Sequence, residues 1–243
     1  QKTKVPTKKK YLNKEGSTEW DTALPCVKVA VKELETHGWL VNQARMWLAS
    51  HWSVRNHQDW RKGEDYFFRH LIDGSRAANR LGWQWTTGIG SSKPYGFSRW
   101  QVEKRAPGLC DQCPLQKMCP IQDWPTEPMS EAVSAPIGID NYGPLTAVEV
   151  GKPTAVWLTA ESLGDKDPAL FNNPDLPAVF VFDEPLLKRL RITSKRFVFI
   201  LETLAEISET RPLTLYLGRP EAELAGIPLT VTHAPVPGFQ KYK

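Results

Sequence analysis

The sequence predicts an α+β protein in two parts, a helical half followed by a small α/β unit built on a parallel sheet. Three observations carry this expectation. Through the first half, apolar residues recur at helical spacing between Pro and Gly punctuation. Beyond Pro153, short apolar runs alternate with a helical stretch, the rhythm of parallel strands joined by crossovers. Between the two, residues 121–153 are rich in Pro, Ser, Thr and Gly with no helical period, which reads as a linker. The expected organisation is a basic flexible arm over 1–20, a helical domain over 21–120, the linker over 121–153 and a small α/β domain over 154–243.

Taken in order, the first helix is expected over Leu24 to His37, opened by Pro25 and closed by Gly38. A second spans about Trp39 to Val54, with Asn42, Arg45 and Ala49 on one face. A third runs from Glu64 to Ile72. Asp73-Gly74-Ser75 breaks the chain before a fourth that continues through Gly82, and Gly88 to Tyr95 is loop. In the second part, Ala155–Thr159, Ala178–Phe182, Leu213–Leu217 and Leu229–His233 read as strands, and Lys195–Ile207 as a helix carrying Phe197, Ile200, Leu201 and Leu204.

Length and composition suit one large or two small globular domains, with 243 residues, 41% hydrophobic and 24% charged. No apolar run approaches the roughly 18 residues of a membrane span, and no signal-peptide pattern opens the chain. The chain starts at Gln1 rather than Met, as a processed or partial chain would. The net charge of +4 includes a run at Lys2, Lys4, Lys8, Lys9 and Lys10. Such an arm is either a solvated tail or a contact for phosphate, in nucleic acid or another polyanion. Ten tryptophans, most of them before residue 101, are core material first.

The four cysteines carry the chemistry. Cys110, Cys113 and Cys119 lie in one Pro-punctuated loop, C-D-Q-C-P-L-Q-K-M-C-P, and Cys26 lies far upstream on the first helix. Three close thiols and a remote one form a common ligand layout for a [4Fe-4S] cluster. A structural zinc is the alternative metal, although zinc sites more often present two close pairs. Two disulfides or free thiols are the metal-free alternatives. Cysteines gathered for metal point to a reducing compartment, cytoplasm or organelle stroma. The five histidines show no ligand spacing, and G-x-S-x-G, H-E-x-x-H and P-loop motifs are missing from the sequence.

Three blocks then carry a family likeness: G-W-L-V-N-Q-A-R-M-W-L-A-S (38–50), D-W-R-K-G-E-D-Y-F (59–67) and L-I-D-G-S-R-A-A-N-R-L-G-W-Q-W (71–85). With the helix around Pro25-Cys26-Val27 they make residues 20–97 resemble the cofactor-binding helical domain of photolyases and cryptochromes. The cysteine layout and Lys93-Pro94-Tyr95 are similar to the iron-sulfur branch of the bacterial members. A weaker likeness, through Val156-Trp157-Leu158, Asp167 to Leu170, Pro177 to Asp183 and the Arg196 to Leu204 helix, links the α/β part to the family's antenna domain. That domain precedes the helical one in the family and follows it here.

The resemblance implies a flavin (FAD) near Asn42, Arg45, Asp73, Asn79 and Trp83, with Trp83 and Trp60 as steps for electron hopping. An Arg-Asp pair suits the polar edge of an isoalloxazine, and a side-chain amide near N5 tunes it; the alternative is that Arg45 and Asp73 only tie two helices together. Position 75 is Ser where the family has a second Asp, and the family's Thr-Ser-rich phosphate-binding segment has no counterpart in this sequence. The expectation is therefore an iron-sulfur photolyase/cryptochrome-like protein without DNA repair activity, acting in electron transfer or as an accessory subunit. Its partner would be a protein or a second copy covering the missing helical half. The alternative is an FAD-binding, blue-light-responsive flavoprotein.

Overall fold

The computed structural model describes Trp20, residues 24–91, 93–123 and 151–234, and Phe239. Apart from Trp20, which is buried in the core rather than part of a flexible arm, the expected arm lies outside these residues, as does most of the expected linker. The chain divides into two compact units, Gln1–Gly74 with Ala78–Ser134 and Ser75–Ala77 with Ala135–Lys243.

The first unit is helical. Helix α1, Pro25–His37, begins on a proline whose missing N–H is no loss at a helix start. It ends at Gly38, which adopts φ 70° and donates its N–H to Leu34 O at 2.9 Å. Val27, Ala30, Val31 and Leu34 form its buried stripe. Helix α2, Asn42–Ser50, runs straight into a π-helical turn at His51–Arg55. Helix α3, Trp60–His70, is capped by Asp59, whose carboxylate accepts from Arg61 N–H. Helix α4 is Arg76–Thr86 and helix α5 is Arg99–Arg105. At the start of α5, Ser98 N–H donates to Gln101 Oε1 at 2.8 Å, one half of a capping box.

The core of this unit is aromatic. Trp20, Trp47, Trp52, Trp60, Phe67, Trp83 and Phe97 are all buried in one cluster with the α1 stripe. Ile72 N–H donates to Gly38 O at 2.8 Å, tying the end of α3 to the turn between α1 and α2.

The second unit is a four-stranded parallel sheet of order β3-β2-β1-β4, from β1 (Ala155–Leu158), β2 (Ala178–Asp183), β3 (Leu213–Gly218) and β4 (Leu229–Val231). Helix α6 (Pro168–Asn172) joins β1 to β2, α7 (Glu184–Leu190) and α8 (Ser194–Thr210) join β2 to β3, and α9 (Pro220–Glu223) joins β3 to β4. The inner strands are almost wholly buried, and the outer two are partly exposed. Alternate residues serve two cores. Val156, Leu158, Ala178 and Phe180 pack with Leu170, Ile200 and Leu204 on one face. Ala155, Trp157, Val179 and Val181 pack with Leu224 on the other. Asp167 and Asp183 cap α6 and α7 by accepting from Leu170 and Leu186 N–H.

The expected helical half followed by a small parallel α/β unit is the observed architecture. Three details differ from expectation. Helix α3 starts four residues early because Asp59 caps it; α5, α6, α7 and α9 were not foreseen; the end of the second helix is π rather than α.

Candidate functional site

Two groups of side chains in the helical unit carry chemistry. The first is the Arg45–Asp73 pair. The bond from Ile72 N–H to Gly38 O brings the chain after α3 alongside α2. There Arg45 Nη2 donates to both Asp73 oxygens, at 2.8 and 3.1 Å, while Arg45 Nε donates to Leu40 O at 2.8 Å. The pair is open to solvent, 24% exposed at Arg45 and 46% at Asp73. Asn42 lies exposed in the first turn of the same helix.

The other two expected flavin residues are differently engaged. Asn79 Nδ2 donates to the backbone carbonyl of Glu64 at 2.9 Å. Glu64 itself is buried and paired with Arg80 at 3.2 Å. Trp83 is a core residue: its ring lies 5.0 Å from Phe67 and 6.5 Å from Trp20. Trp20 in turn lies 4.8 Å from Trp52, so an aromatic series Trp52–Trp20–Trp83 runs through the core. Trp60, the other residue expected to carry electrons, is buried with the Arg61 guanidinium 4.5 Å from its ring. Trp20 was not singled out in the sequence, since nothing around it marks it apart from other core tryptophans.

The second group is the cysteines. Cys26 stands in the first turn of α1. The loop 110–119 is a succession of tight turns, with Cys113 N–H donating to Cys110 O at 3.2 Å and Gln116 N–H to Cys113 O at 2.9 Å. Cys26, Cys110 and Cys119 are half-buried and pack against the aromatic core from its edge. All four are free cysteines in the structure.

The structure brings these distant residues within electrostatic reach of each other. Burial pushes the Cys26 thiol up to about 11, and Cys110 and Cys119 add to the shift. Burial also raises Cys110, with the Glu103 carboxylate, Cys119 and Cys113 contributing. Two guanidinium groups flank the thiols. Arg99 Nη1 donates to Gln116 O at 2.7 Å, its N–H donates to Ile121 O at 2.7 Å, and Glu103 holds its Nε at 2.7 Å. The Glu103 bond raises its pKa, with Cys110 and Cys119 adding to the effect. Arg55 is lowered by burial, against the opposing pull of Cys119 and Asp123.

Among the described residues, no three His, Cys, Asp or Glu side chains close together tightly enough to hold a single metal ion. A tetrahedral zinc, with Zn–S near 2.3 Å, needs such closure.

Residues 4–105 match the FAD binding domain of DNA photolyase. The segment is homologous to part of the deoxyribodipyrimidine photo-lyases. It is 45% identical over 78 residues to that of Vibrio cholerae, covering 32% of this chain and 17% of the relative. It is 44% identical over 78 residues to that of Escherichia coli, covering 32% and 16%, and 41% identical over 73 residues to that of Synechococcus, covering 30% and 15%. The chain thus spans about a sixth of the length of the photo-lyases it matches. No solved structure matches it. The family match includes Asn42, Arg45, Asp73, Asn79, Trp83 and Cys26 and stops before Cys110.

No helix of the described residues is long and apolar enough to cross a membrane.

Proposed function

We propose that this chain is an iron-sulfur protein of photolyase/cryptochrome type, in which Cys26, Cys110, Cys113 and Cys119 hold a [4Fe-4S] cluster that serves electron transfer. One observation carries the reading: the Cys26 thiol on α1 and the Cys110 and Cys119 thiols of a distant loop pack against the same aromatic core, near enough that both loop thiols add to the rise at Cys26. Four soft sulfur donors are the ligand set such a cluster takes, and its chemistry when bound is the transfer of single electrons.

The protein's own residues supply the rest of the fit. A cluster with four thiolates is anionic, and Arg55 and Arg99 lie where they would offset that charge. The Cys26 thiol is protonated at neutral pH when metal-free, so binding would release its proton. Ligation would also cross-link α1 to the loop after α5, bracing the edge of the core. Lesion repair, for which the similar photo-lyases are named, is not assigned to this chain. An accessory role beside a partner protein or a second copy is compatible with the same cluster.

The test is anaerobic purification with iron and acid-labile sulfide analysis. About four irons per chain and a broad absorbance near 400 nm are expected. Stoichiometric zinc without iron would replace the reading with a structural zinc site.

A second reading rests on the family match and the Arg45–Asp73 geometry. In it an FAD ring lies against the exposed pair, and Trp83, Trp20 and Trp52 carry electrons through the core. Flavin fluorescence in the supernatant after heat denaturation is the expected result, and a supernatant without it removes this reading.

A further inference from the structure

We propose that the α/β unit pairs with a second copy of itself along β3, where two-fold symmetry closes an open sheet edge and a bare flank of α8. The inference concerns the second unit alone and does not depend on the cysteines.

The two edges of the sheet are built differently. Strand β4 is three residues long, follows Pro228 and is half-buried throughout. A short edge beside a proline is a common way to blunt a strand against further pairing. Strand β3 has no such protection. Its six residues, Leu-Thr-Leu-Tyr-Leu-Gly, include no charge and no proline, and they pair with β2 in unbroken register from Leu213 to Gly218. Among the described residues, no strand pairs with its outer side.

The side chains beside that edge are apolar and open. Leu215 is 48% exposed and Leu217 is 66% exposed. They stand level with Phe180 and Phe182 of β2, on the face of the sheet that α8 covers. The Phe197 ring of α8 lies 5.3 Å from that of Phe182, which brings it to the level of Leu217. Helical spacing places Leu201, Ala205 and Ser208 along the same flank, and all four residues are exposed. A right-handed crossover from β2 to β3 turns this flank towards the open side of β3. Glu202, Glu206 and Glu209 fall elsewhere on the circumference, so the flank carries no charge.

The occupant follows from this geometry. The strip has two levels, a strand edge and a helix flank. A lone peptide strand would satisfy the backbone and leave α8 bare, whereas a second α/β unit offers both levels at once. Pairing two β3 strands across a two-fold axis makes them antiparallel, so apolar side chains meet their own kind and like charges do not meet. The ends match as well. Arg219, after β3 in one copy, comes to the C-terminal end of α8 in the other, where Glu209 and the helix dipole are negative. Arg211, at that same end, is turned inward and donates to the carbonyls of Leu170, Asn173 and Leu176. A strip about 20 Å long suits a concentration-dependent dimer rather than an obligate one.

The experiment uses the full chain under reducing conditions, so that free cysteines do not cross-link it. Wild type, Leu217→Lys and the double variant Leu215→Lys/Leu217→Lys are compared by size-exclusion chromatography with light scattering, up to about 100 μM. Circular dichroism checks that each is folded. Wild type is expected to approach twice the chain mass as concentration rises. The double variant is expected to dissociate about a hundredfold more readily, because each lysine appears twice across the axis. Wild type that keeps the mass of one chain throughout would overturn the proposal and leave the edge to a foreign strand. A folded double variant that associates like wild type would also overturn it, since the contact would then lie elsewhere. If the double variant fails to fold, Leu217→Lys decides: weakened association supports the interface and unchanged association rejects it.

Discussion

Gly63 in α3 and Trp83 in α4 claim the same space: a Cβ on the glycine would lie 2.2 Å from the indole ring. The glycine is thus the condition for the close approach of the two helices. In an unconstrained helix, Gly→Ala stabilises by about 0.5–1 kcal/mol. Here the sign is expected to reverse. Gly63→Ala should destabilise by about 1–3 kcal/mol through overpacking, measured by urea denaturation with Trp fluorescence. A gain in stability would mean that Trp83 does not pack there.

The Arg45–Asp73 pair is exposed, and Arg45 retains its bond to Leu40 O without its partner. Asp73→Asn is therefore expected to change stability by less than ~1 kcal/mol. Under the flavin reading, the same substitution lowers the flavin recovered per chain. A large loss of stability would instead identify the pair as a brace between the two segments.

Cys113 differs from the other three cysteines in standing away from the aromatic core. Cys113→Ala in metal-free protein should shift stability by no more than ~0.5 kcal/mol. The same variant is expected to lose its visible absorbance and most of its iron. Retention of both would remove Cys113 from the ligand set.

The metal-free, reduced protein should also show a distinct alkaline transition. Cys26 titrates near 9.0 as an unperturbed thiol and at about 11 in the folded chain. The folded state therefore holds the proton more tightly than the unfolded state. This contribution is complete below about pH 9 and is lost as pH rises towards 11, on the order of 2 kcal/mol. Tyr66, raised by burial and by its bond to Glu35, loses stability over a higher range. Comparing Cys26→Ala with wild type isolates the thiol: the variant should melt with a shallower dependence between pH 9 and 11. Parallel pH profiles would count against burial of Cys26.

Much of the fold was legible where local signals are strong. Pro25 and Gly38 bracket α1 to within a residue, and the apolar runs at 155, 178, 213 and 229 are the four strands. Short helices were not legible by period. Helices α6 and α7 span five and seven residues, too few for a repeat, although Asp167-Pro168 and Asp183-Glu184-Pro185 already contain their caps. The π turn escaped because apolar spacing does not distinguish a widened turn from an α-helical one. Arg45 and Asp73 stand together in the structure as an ion pair, a contact that the sequence left as one of two readings of these residues. Arg55 and Arg99 were not legible, because much of what they hold is backbone carbonyl, and a carbonyl has no letter in the sequence. Asn79, which the resemblance puts near a flavin, bonds the α3 backbone, and Trp83 is buried in the core.

The widened turn at His51–Arg55 makes the helix a counting device. Its hydrogen bond runs from residue i+5 rather than i+4, so one residue more than an α-helical turn would hold is accommodated before Arg55. The guanidinium at its end holds the carbonyl of Asp123, so the turn ties the end of one helix to the anchorage of a loop nearly seventy residues later.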